Sequence, residues 1–348
     1  MLATTTVQAN IPTLFTPDSL STTMSLQASK GTTIYTTLGV PAPFDATCSL
    51  VTSPLFSPLA LGLIRLTLAV YGTVFIVFSL VYDTVKLHTG SSFFSYFTML
   101  SYIGLLSYFW ASSVQTLAFA YSRSRSRHSY PLQHWPRPLQ FLHLLLHSTI
   151  TTFPILVTAI YWSLLSSPTT FSTRYHAWVN ISEHALNTVF AAFEILLTNV
   201  APRFGGPDAN AEGVGAPWVH VPFLIALLAC YLGLAYVTKA TQGFYTYDFL
   251  DPHLQHAKLA AYIVGIAVGA TVVFIIVRYL CMLRYYVSLR LAPDATRYVG
   301  HAETTAPRLS WASQMWRTKG GEEGGQVNGE ALDEWEDVER PSETGIAI

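Results

Sequence analysis

Apolar residues in this chain are grouped into six runs, each about as long as a membrane span. The runs cover about residues 56–82, 93–121, 139–166, 179–199, 217–238 and 259–283. About 20 mostly apolar residues suffice for a helix that crosses roughly 30 Å of hydrocarbon. The pattern predicts an all-α membrane protein, a six-helix transmembrane bundle that occupies residues 56–290.

The two flanks of the chain lack this pattern. Residues 1–55 are rich in Ser, Thr and Pro, and residues 291–348 end in an acidic stretch that begins near Gly321. Segments with so few regularly spaced apolar residues do not bury a core. We therefore predict a disordered Ser/Thr-rich arm at 1–55 and a disordered acidic tail at 291–348.

Composition supports the membrane assignment and excludes several other classes of protein. Charged residues make up 11% of the chain, against about 25% in typical soluble domains. The three cysteines show neither a disulfide framework nor a metal spacing, so we expect no metal and no cofactor. The short Ser-Arg repeat at 122–127 lies between two spans, so anionic headgroups rather than nucleic acid are its expected neighbours.

Basic residues indicate the orientation of the bundle. Arg123, Arg125 and Arg127 lie between the second and third runs, and further arginines follow the fourth and sixth runs. Loops that stay in the cytosol carry an excess of Lys and Arg. This bias predicts that both termini are cytosolic.

The fourth run differs from the others because it holds Glu183, His184, Asn187 and Glu194. A charge at the centre of a membrane helix costs on the order of 2.5–3.5 kcal/mol, so such groups usually face the protein interior or a partner. We expect Glu194 to pair with Arg65 of the first run, with Arg278 as a further neighbour. For His143 and His147 of the third run we expect contacts between helices rather than a metal.

Thr98 and His184 are predicted to lie at one depth of the membrane. In this topology both lie about five residues inside the same face, roughly 7–8 Å at 1.5 Å per residue. A hydroxyl and an imidazole at one level are what nucleophilic catalysis requires, since the base must take the proton of the weak nucleophile. Asn187, one turn away, is a candidate to orient the imidazole or to stabilise an oxyanion.

Four short motifs carry a family resemblance. They are Phe97-Thr98-Met99-Leu100-Ser101, the pairs Phe153-Pro154 and Tyr161-Trp162, His184-Ala185-Leu186-Asn187-Thr188, and Gly243-Phe244-Tyr245-Thr246-Tyr247-Asp248-Phe249-Leu250. In this order they resemble the androgen-induced-gene-like integral membrane proteins, in particular the branch common in fungi. The match covers about residues 56 to 290. The aromatic motif from Gly243 follows the fifth run, where it would form either an interfacial belt or a lid.

The resemblance implies a chemistry. Animal members of that family are intramembrane threonine hydrolases that cleave fatty acid esters of hydroxy fatty acids. The family's threonine matches Thr98, whereas its catalytic histidine position holds Asn187, and His184 matches the first histidine of that motif. A neutral amide is not a base near neutral pH, so His184 is the residue expected to take the proton.

Two functions remain open from the sequence. The first is a lipid ester hydrolase that uses Thr98 with His184 and takes its substrate sideways from the leaflet. The second is a non-enzymatic membrane protein that binds a lipid or a partner, with the Thr, His and Asn cluster linking helices. Membrane lipids are the expected partners in both cases, and the resemblance favours the endoplasmic reticulum or another endomembrane.

Overall fold

The computed structural model describes residues 34–202 and 214–291, and this part of the chain is helical without strands. The predictions for residues 1–33 and 292–348 lie outside the described residues. The main helices are α1 (Pro58–Tyr82), α2 (Phe97–Ser124), α3 (Arg137–Ile160), α4 (Arg174–Ile181), α5 (Asn187–Leu197), α6 (His220–Gln242) and α7 (Lys258–Leu291).

Short helical turns connect or extend these helices. π-Helical turns are Asp83–Leu87 after α1, Tyr161–Leu165 after α3, and Ser182–Leu186 between α4 and α5. One-turn α-helices are Ile34–Thr37 and Pro252–Gln255, and 3₁₀ turns are Ser49–Val51, Gly90–Ser95, Pro131–His134, Pro168–Phe171 and Asp248–Leu250.

Five helices in the described part are long and apolar enough to cross a membrane, which is compatible with a multi-pass membrane protein. They cover Pro58–Leu87, Phe97–Ser124, Arg137–Leu165, His220–Gln242 and Lys258–Ser288. The predicted fourth run, now α4 and α5, is helical but is not among the five. Its polar residues lower its hydropathy, and these side chains (Glu183, His184, Asn187 and Glu194) are all buried in the bundle.

Helices α1 and α2 are antiparallel neighbours in close contact. Ser57 caps the start of α1 by accepting a hydrogen bond from the Ala60 amide, and Pro58 supplies the preset backbone angle of a first helical residue. Gly62 permits the close approach, since a Cβ there would lie 2.7 Å from the side chain of Leu117. A larger residue at this position would push the two helices apart.

A buried ion pair joins α1 to α5, as the sequence predicted. Arg65 donates from Nε and Nη2 to the two carboxylate oxygens of Glu194 at 2.8 and 2.7 Å, and both side chains are fully buried. Nη1 of Arg65 donates to the hydroxyl of Thr116 in α2 and to the carbonyl of Leu50, while the Tyr108 phenol donates to Glu194. Arg278 does not join this group, because it contacts the carbonyl of Ala216 and the ring of Trp218.

The structure differs from the predicted arm over residues 34–55, which pack against the bundle. Apolar side chains of this segment, including Val40 and Leu50, share a core with residues such as Leu132 and Leu144. The segment has too few apolar residues for a core of its own, but it completes one that the helices begin. We call residues 34–57 the N-terminal clasp.

Buried hydrogen bonds fix the clasp in place. The carboxylate of Asp45 accepts from the amide and hydroxyl of Ser49, from the Leu50 amide and from the phenol of Tyr130. Burial raises the pKa of the Asp45 carboxyl, and these hydrogen bonds act in the opposite direction. At α6, His220 lies 2.7 Å from the Ser148 hydroxyl through Nδ1 and 3.2 Å from the Leu38 carbonyl through Nε2.

Replacing one partner of the Arg65–Glu194 pair is expected to destabilise the fold strongly. Glu194→Gln keeps the size of the side chain but leaves the Arg65 charge buried without a counterion, which should lower the free energy of unfolding by about 3–5 kcal/mol. The double change Arg65→Met with Glu194→Met should recover most of that loss, because no charge remains buried. Denaturant unfolding of the purified protein in detergent measures both, and equal losses in the single and double variants would contradict this account.

Candidate functional site

A cavity of about 160 Å³ lies at the end of the bundle opposite the N-terminal clasp. It is enclosed by the start of α2, the end of α3, the facing sides of α6 and α7, and the segment that connects α6 to α7. The lining residues are Phe97, Thr98, Leu156, Val157, Ile160, Tyr161, Leu165, Ile225, Leu228, Ala229, Tyr231, Leu232, Tyr247, Phe249, Leu250, Ile263, Ile266 and Ala267. Its surface is therefore almost entirely apolar.

The segment from α6 to α7 covers the cavity, which supports the lid interpretation of its aromatic motif. Gly243 ends α6 with a left-handed φ of 82°, a conformation that glycine adopts without strain. The chain then turns inward, so that Thr246, Phe249 and Leu250 are buried while Asp248 remains exposed. We call residues 243–251 the aromatic lid.

Hydroxyl groups provide the polar part of the cavity wall. Thr98 lies in the first turn of α2 and is buried, and the Tyr247 phenol of the aromatic lid hydrogen-bonds it. Tyr247 also contacts the phenol of Tyr231, which lies 3.1 Å from the Ser95 carbonyl and 3.2 Å from the Thr246 hydroxyl. Burial raises the pKa of the Tyr247 phenol, so this group stays neutral at neutral pH and can both donate and accept a hydrogen bond.

His184 lies outside this cavity, behind the ring of Tyr161. The two rings stack with centroids 3.5 Å apart and planes 6° apart, and Tyr161 itself lines the cavity. The Nε2 atom of His184 lies 3.6 Å from the carboxylate of Glu183, and its carbonyl accepts from the indole of Trp162. The sequence predicted that His184 and Thr98 share a depth, and the structure has a tyrosine ring between His184 and the cavity that Thr98 lines.

Asn187 connects two helices. Its amide oxygen accepts from the Thr158 hydroxyl of α3 at 3.0 Å and from the Thr188 amide at 2.6 Å. The Thr158 and Thr188 hydroxyls lie 2.7 Å apart, and Thr188 also reaches the carbonyl of Pro154. Such bonds across membrane helices contribute about 0.6 kcal/mol each on average. In this arrangement Asn187 holds α5 against α3 and does not line the cavity.

A second polar group surrounds the π-helical turn Ser182–Leu186. Within the part of the chain that the structure describes, three buried atoms there have no hydrogen-bond partner: the Tyr102 phenol, Glu183 Oε1 and His184 Nδ1. Ser182 is satisfied by the phenol of Tyr71 at 2.8 Å. Isolated π-turns inside helices are frequent at functional sites. The polar residues around this turn lie behind Tyr161, on the side of its ring that faces away from the cavity.

Sequence reasoning identified Thr98 but missed the tyrosines. Tyr231 is one of several aromatic residues in an apolar span, and no local signal marks it. Tyr247 lies in the aromatic motif that was predicted to form a belt or a lid, but nothing in the sequence of that motif distinguishes it from Tyr245. His143 and His147 pack against the ring of Tyr108, with centroids 5.4 and 5.6 Å away.

Comparisons of the chain with family models, with curated proteins and with solved structures found no match. The resemblance carried by the four motifs therefore stays a prediction. Among residues 34–202 and 214–291, no three His, Cys, Asp or Glu side chains are placed to hold a metal ion.

Glu183→Gln is expected to leave the stability of the protein unchanged or to raise it by about 1 kcal/mol, since Glu183 Oε1 has no hydrogen-bond partner and the neighbouring His184 is a counterion only when its imidazole is protonated. Glu194→Gln is the matched variant, because it makes the same substitution at a carboxylate held by Arg65. The free energy of unfolding of both variants is measured by denaturant unfolding in detergent. A loss at Glu183 as large as that at Glu194 would show that Glu183 has a strong cationic partner.

Proposed function

We propose that this protein is a six-span membrane protein that binds the acyl portion of a membrane lipid in the cavity under the aromatic lid. One observation carries the proposal: the cavity is apolar along its length and has hydroxyl groups beside Thr98. On the basis of the basic loops, both termini are cytosolic. The resemblance favours an endomembrane, such as that of the endoplasmic reticulum, as the location.

The sixth span of this proposal is formed by α4 and α5. Together with the turn between them they cover residues 174–197, roughly 36 Å of helix at 1.5 Å per residue. The polar side chains of α4 are not buried, but Glu183, His184, Asn187 and Glu194 are. The exposed residues between 181 and 197 are the apolar Ile181, Val189 and Leu196. Buried polar groups of this kind are typical of spans that face the bundle interior.

The size and position of the cavity favour a lipid chain. An apolar cavity of about 150 Å³ accepts a molecule the size of benzene, so this one accommodates a segment of about six carbons. The apolar stretches of α6 and α7 are each only 17% buried, and both helices contribute to the cavity wall. A chain can therefore enter between these two helices from the leaflet, with the rest of the lipid left outside.

A second candidate function is the hydrolysis of a lipid ester. It is favoured by the position of Thr98, whose hydroxyl would lie beside an ester carbonyl at the end of a bound acyl chain. Tyr247 would donate a hydrogen bond to the developing oxyanion. His184 would be the base, which requires the Tyr161 ring to move aside, and Asn187 would orient the helix that carries His184. Hydrolysis therefore requires the Tyr161 ring to move, whereas lipid binding alone does not.

Filling the cavity is expected to prevent lipid binding. Ala267→Phe adds a ring to the cavity wall on α7, whereas Ala261→Phe makes the same change at an exposed position of the same helix that does not line the cavity. A photoactivatable palmitoyl probe in nanodiscs should label the cavity residues of the wild type and of Ala261→Phe. Labelling of Ala267→Phe should fall at least about tenfold, a loss of about 1.4 kcal/mol. Equal labelling of all three proteins would contradict lipid binding in this cavity.

Hydrolysis is tested with a fluorophosphonate probe and with lipid esters as substrates. An activated Thr98 should be labelled, Thr98→Ala should abolish labelling and turnover, and Thr98→Ser should retain both because it keeps the hydroxyl. His184→Ala should weaken both signals. Labelling that survives Thr98→Ala excludes Thr98 as the nucleophile, and lipid binding then remains without catalysis.

A further inference from the structure

A second, smaller pocket lies between α3, α7 and the segments 200–202 and 214–216. Its volume is about 10 Å³, which is enough for one atom the size of a water oxygen. Gly215 allows the two segments to meet, because a Cβ there would lie 2.4 Å from the carbonyl carbon of Ala201. No residue that lines this pocket also lines the cavity under the aromatic lid, so the two are separate.

Two side chains on the wall of the small pocket have unused hydrogen-bonding capacity. His147 of α3 is 4% exposed, and its Nε2 atom has no hydrogen-bond partner among the described residues. Arg278 of α7 has five N–H donors and makes one hydrogen bond in this part of the chain, to the Ala216 carbonyl. Thr151 also lines the pocket, but the carbonyls of His147 and Ser148 already accept its hydroxyl hydrogen.

Arg278 differs from the other two arginines that are buried or partly buried in the spans. Arg65 is paired with Glu194, and Arg284 donates from both terminal nitrogens to the carbonyls of Ile195 and Val200. In the part of the chain that the structure describes, no carboxylate pairs with Arg278, and no Asp or Glu lines the small pocket. A charged side chain in a membrane span usually pairs with another group. The charge of Arg278 therefore requires an anion from elsewhere.

The position of Arg278 along α7 indicates where that anion comes from. Arg278 follows Lys258, the first residue of α7, by 20 residues, roughly 30 Å at 1.5 Å per residue and about the thickness of the hydrocarbon layer. Its guanidinium lies over the ring of Trp218, which is exposed just before the start of α6. Tryptophan is enriched at the interface between membrane and water. Arg278 thus lies at the level of the lipid phosphates, on the membrane face opposite Lys258.

We propose that the small pocket and Arg278 together bind a phosphate group. One phosphate oxygen occupies the pocket beside His147 Nε2, and the guanidinium of Arg278 pairs with the remaining oxygens. A neutral imidazole carries its hydrogen on either nitrogen, and an anion beside Nε2 favours the tautomer with the hydrogen there. A water molecule alone would satisfy His147 but would leave Arg278 without a counterion. A phospholipid headgroup and free phosphate share this chemistry. The site does not depend on the proposed function of the cavity.

The experiment uses the full chain in a maltoside detergent, which contains no phosphate. A ligand that binds only the folded protein raises the thermal unfolding midpoint, and the concentration dependence of the rise gives its Kd. Dioleoyl phosphatidic acid should raise the midpoint, whereas dioleoylglycerol, which has the same chains without the phosphate, should not. A rise with inorganic phosphate alone identifies the free ion as sufficient, and a rise with phosphatidic acid only identifies the lipid headgroup.

Variants test the two residues that contact the phosphate. Arg278→Gln should weaken the binding of phosphatidic acid at least about tenfold, because it removes the charged donors. His147→Phe keeps a ring of similar size without the Nε2 donor, and it should weaken binding about three- to tenfold. It also tests the site if Arg278→Gln does not fold. Arg290→Gln is the matched control, since Arg290 is exposed on the same helix and does not line the pocket. Its Kd should equal that of the wild type.

Three results would overturn the proposal. Equal rises with phosphatidic acid and dioleoylglycerol would show that the phosphate is not recognised. Equal weakening in Arg278→Gln and Arg290→Gln would show a general attraction of anionic lipid to the basic end of α7. Wild-type affinity in His147→Phe would show that no phosphate oxygen occupies the small pocket.

Discussion

The fold depends on the bidentate pair between Arg65 and Glu194. Two opposite charges in the interior of an apolar bundle are stable only if each is paired and hydrogen-bonded, and here the remaining donors and acceptors come from α2 and from the Leu50 carbonyl. The pair therefore joins four parts of the chain at one point: α1, α2, α5 and the N-terminal clasp. A geometry this demanding excludes alternative registers of these helices.

This arrangement separates the two ends of the bundle by chemistry. At the end with the N-terminal clasp, apolar side chains fill the core, and hydrogen bonds of Asp45 and His220 tie the clasp to the helices. At the other end the interior is an apolar cavity under the aromatic lid, with hydroxyls as its polar groups. A filled core at one end and an apolar cavity at the other suit a protein that holds a lipid chain.

Hydropathy alone predicted the helical class, the positions of five spans and the Arg65–Glu194 pair, because each depends on length or on the cost of a lone charge. The cost of polar groups in a membrane also predicted that Glu183 and Asn187 face the interior of the bundle. It did not predict that residues 34–55 pack on the bundle, since their few apolar residues become a core only beside those of α2 and α3. The close approach of α1 and α2 at Gly62 could not be predicted either, because single glycines are common in apolar runs.

The candidate site could be predicted only in part, because a sequence gives position along a helix but not the packing between helices. The depth of a residue can be counted only from the start of its helix, and α2 begins at Phe97, so Thr98 lies in the first turn and not about five residues inside the span. Which side of a helix faces which neighbour depends on packing, and the position of Tyr161 between His184 and the cavity has no counterpart in the sequence pattern. The most direct test is an experimental structure in lipid nanodiscs. We predict elongated density between α6 and α7 that ends beside Thr98 and Tyr247. A cavity filled by side chains, with the aromatic lid turned outward, would contradict the account.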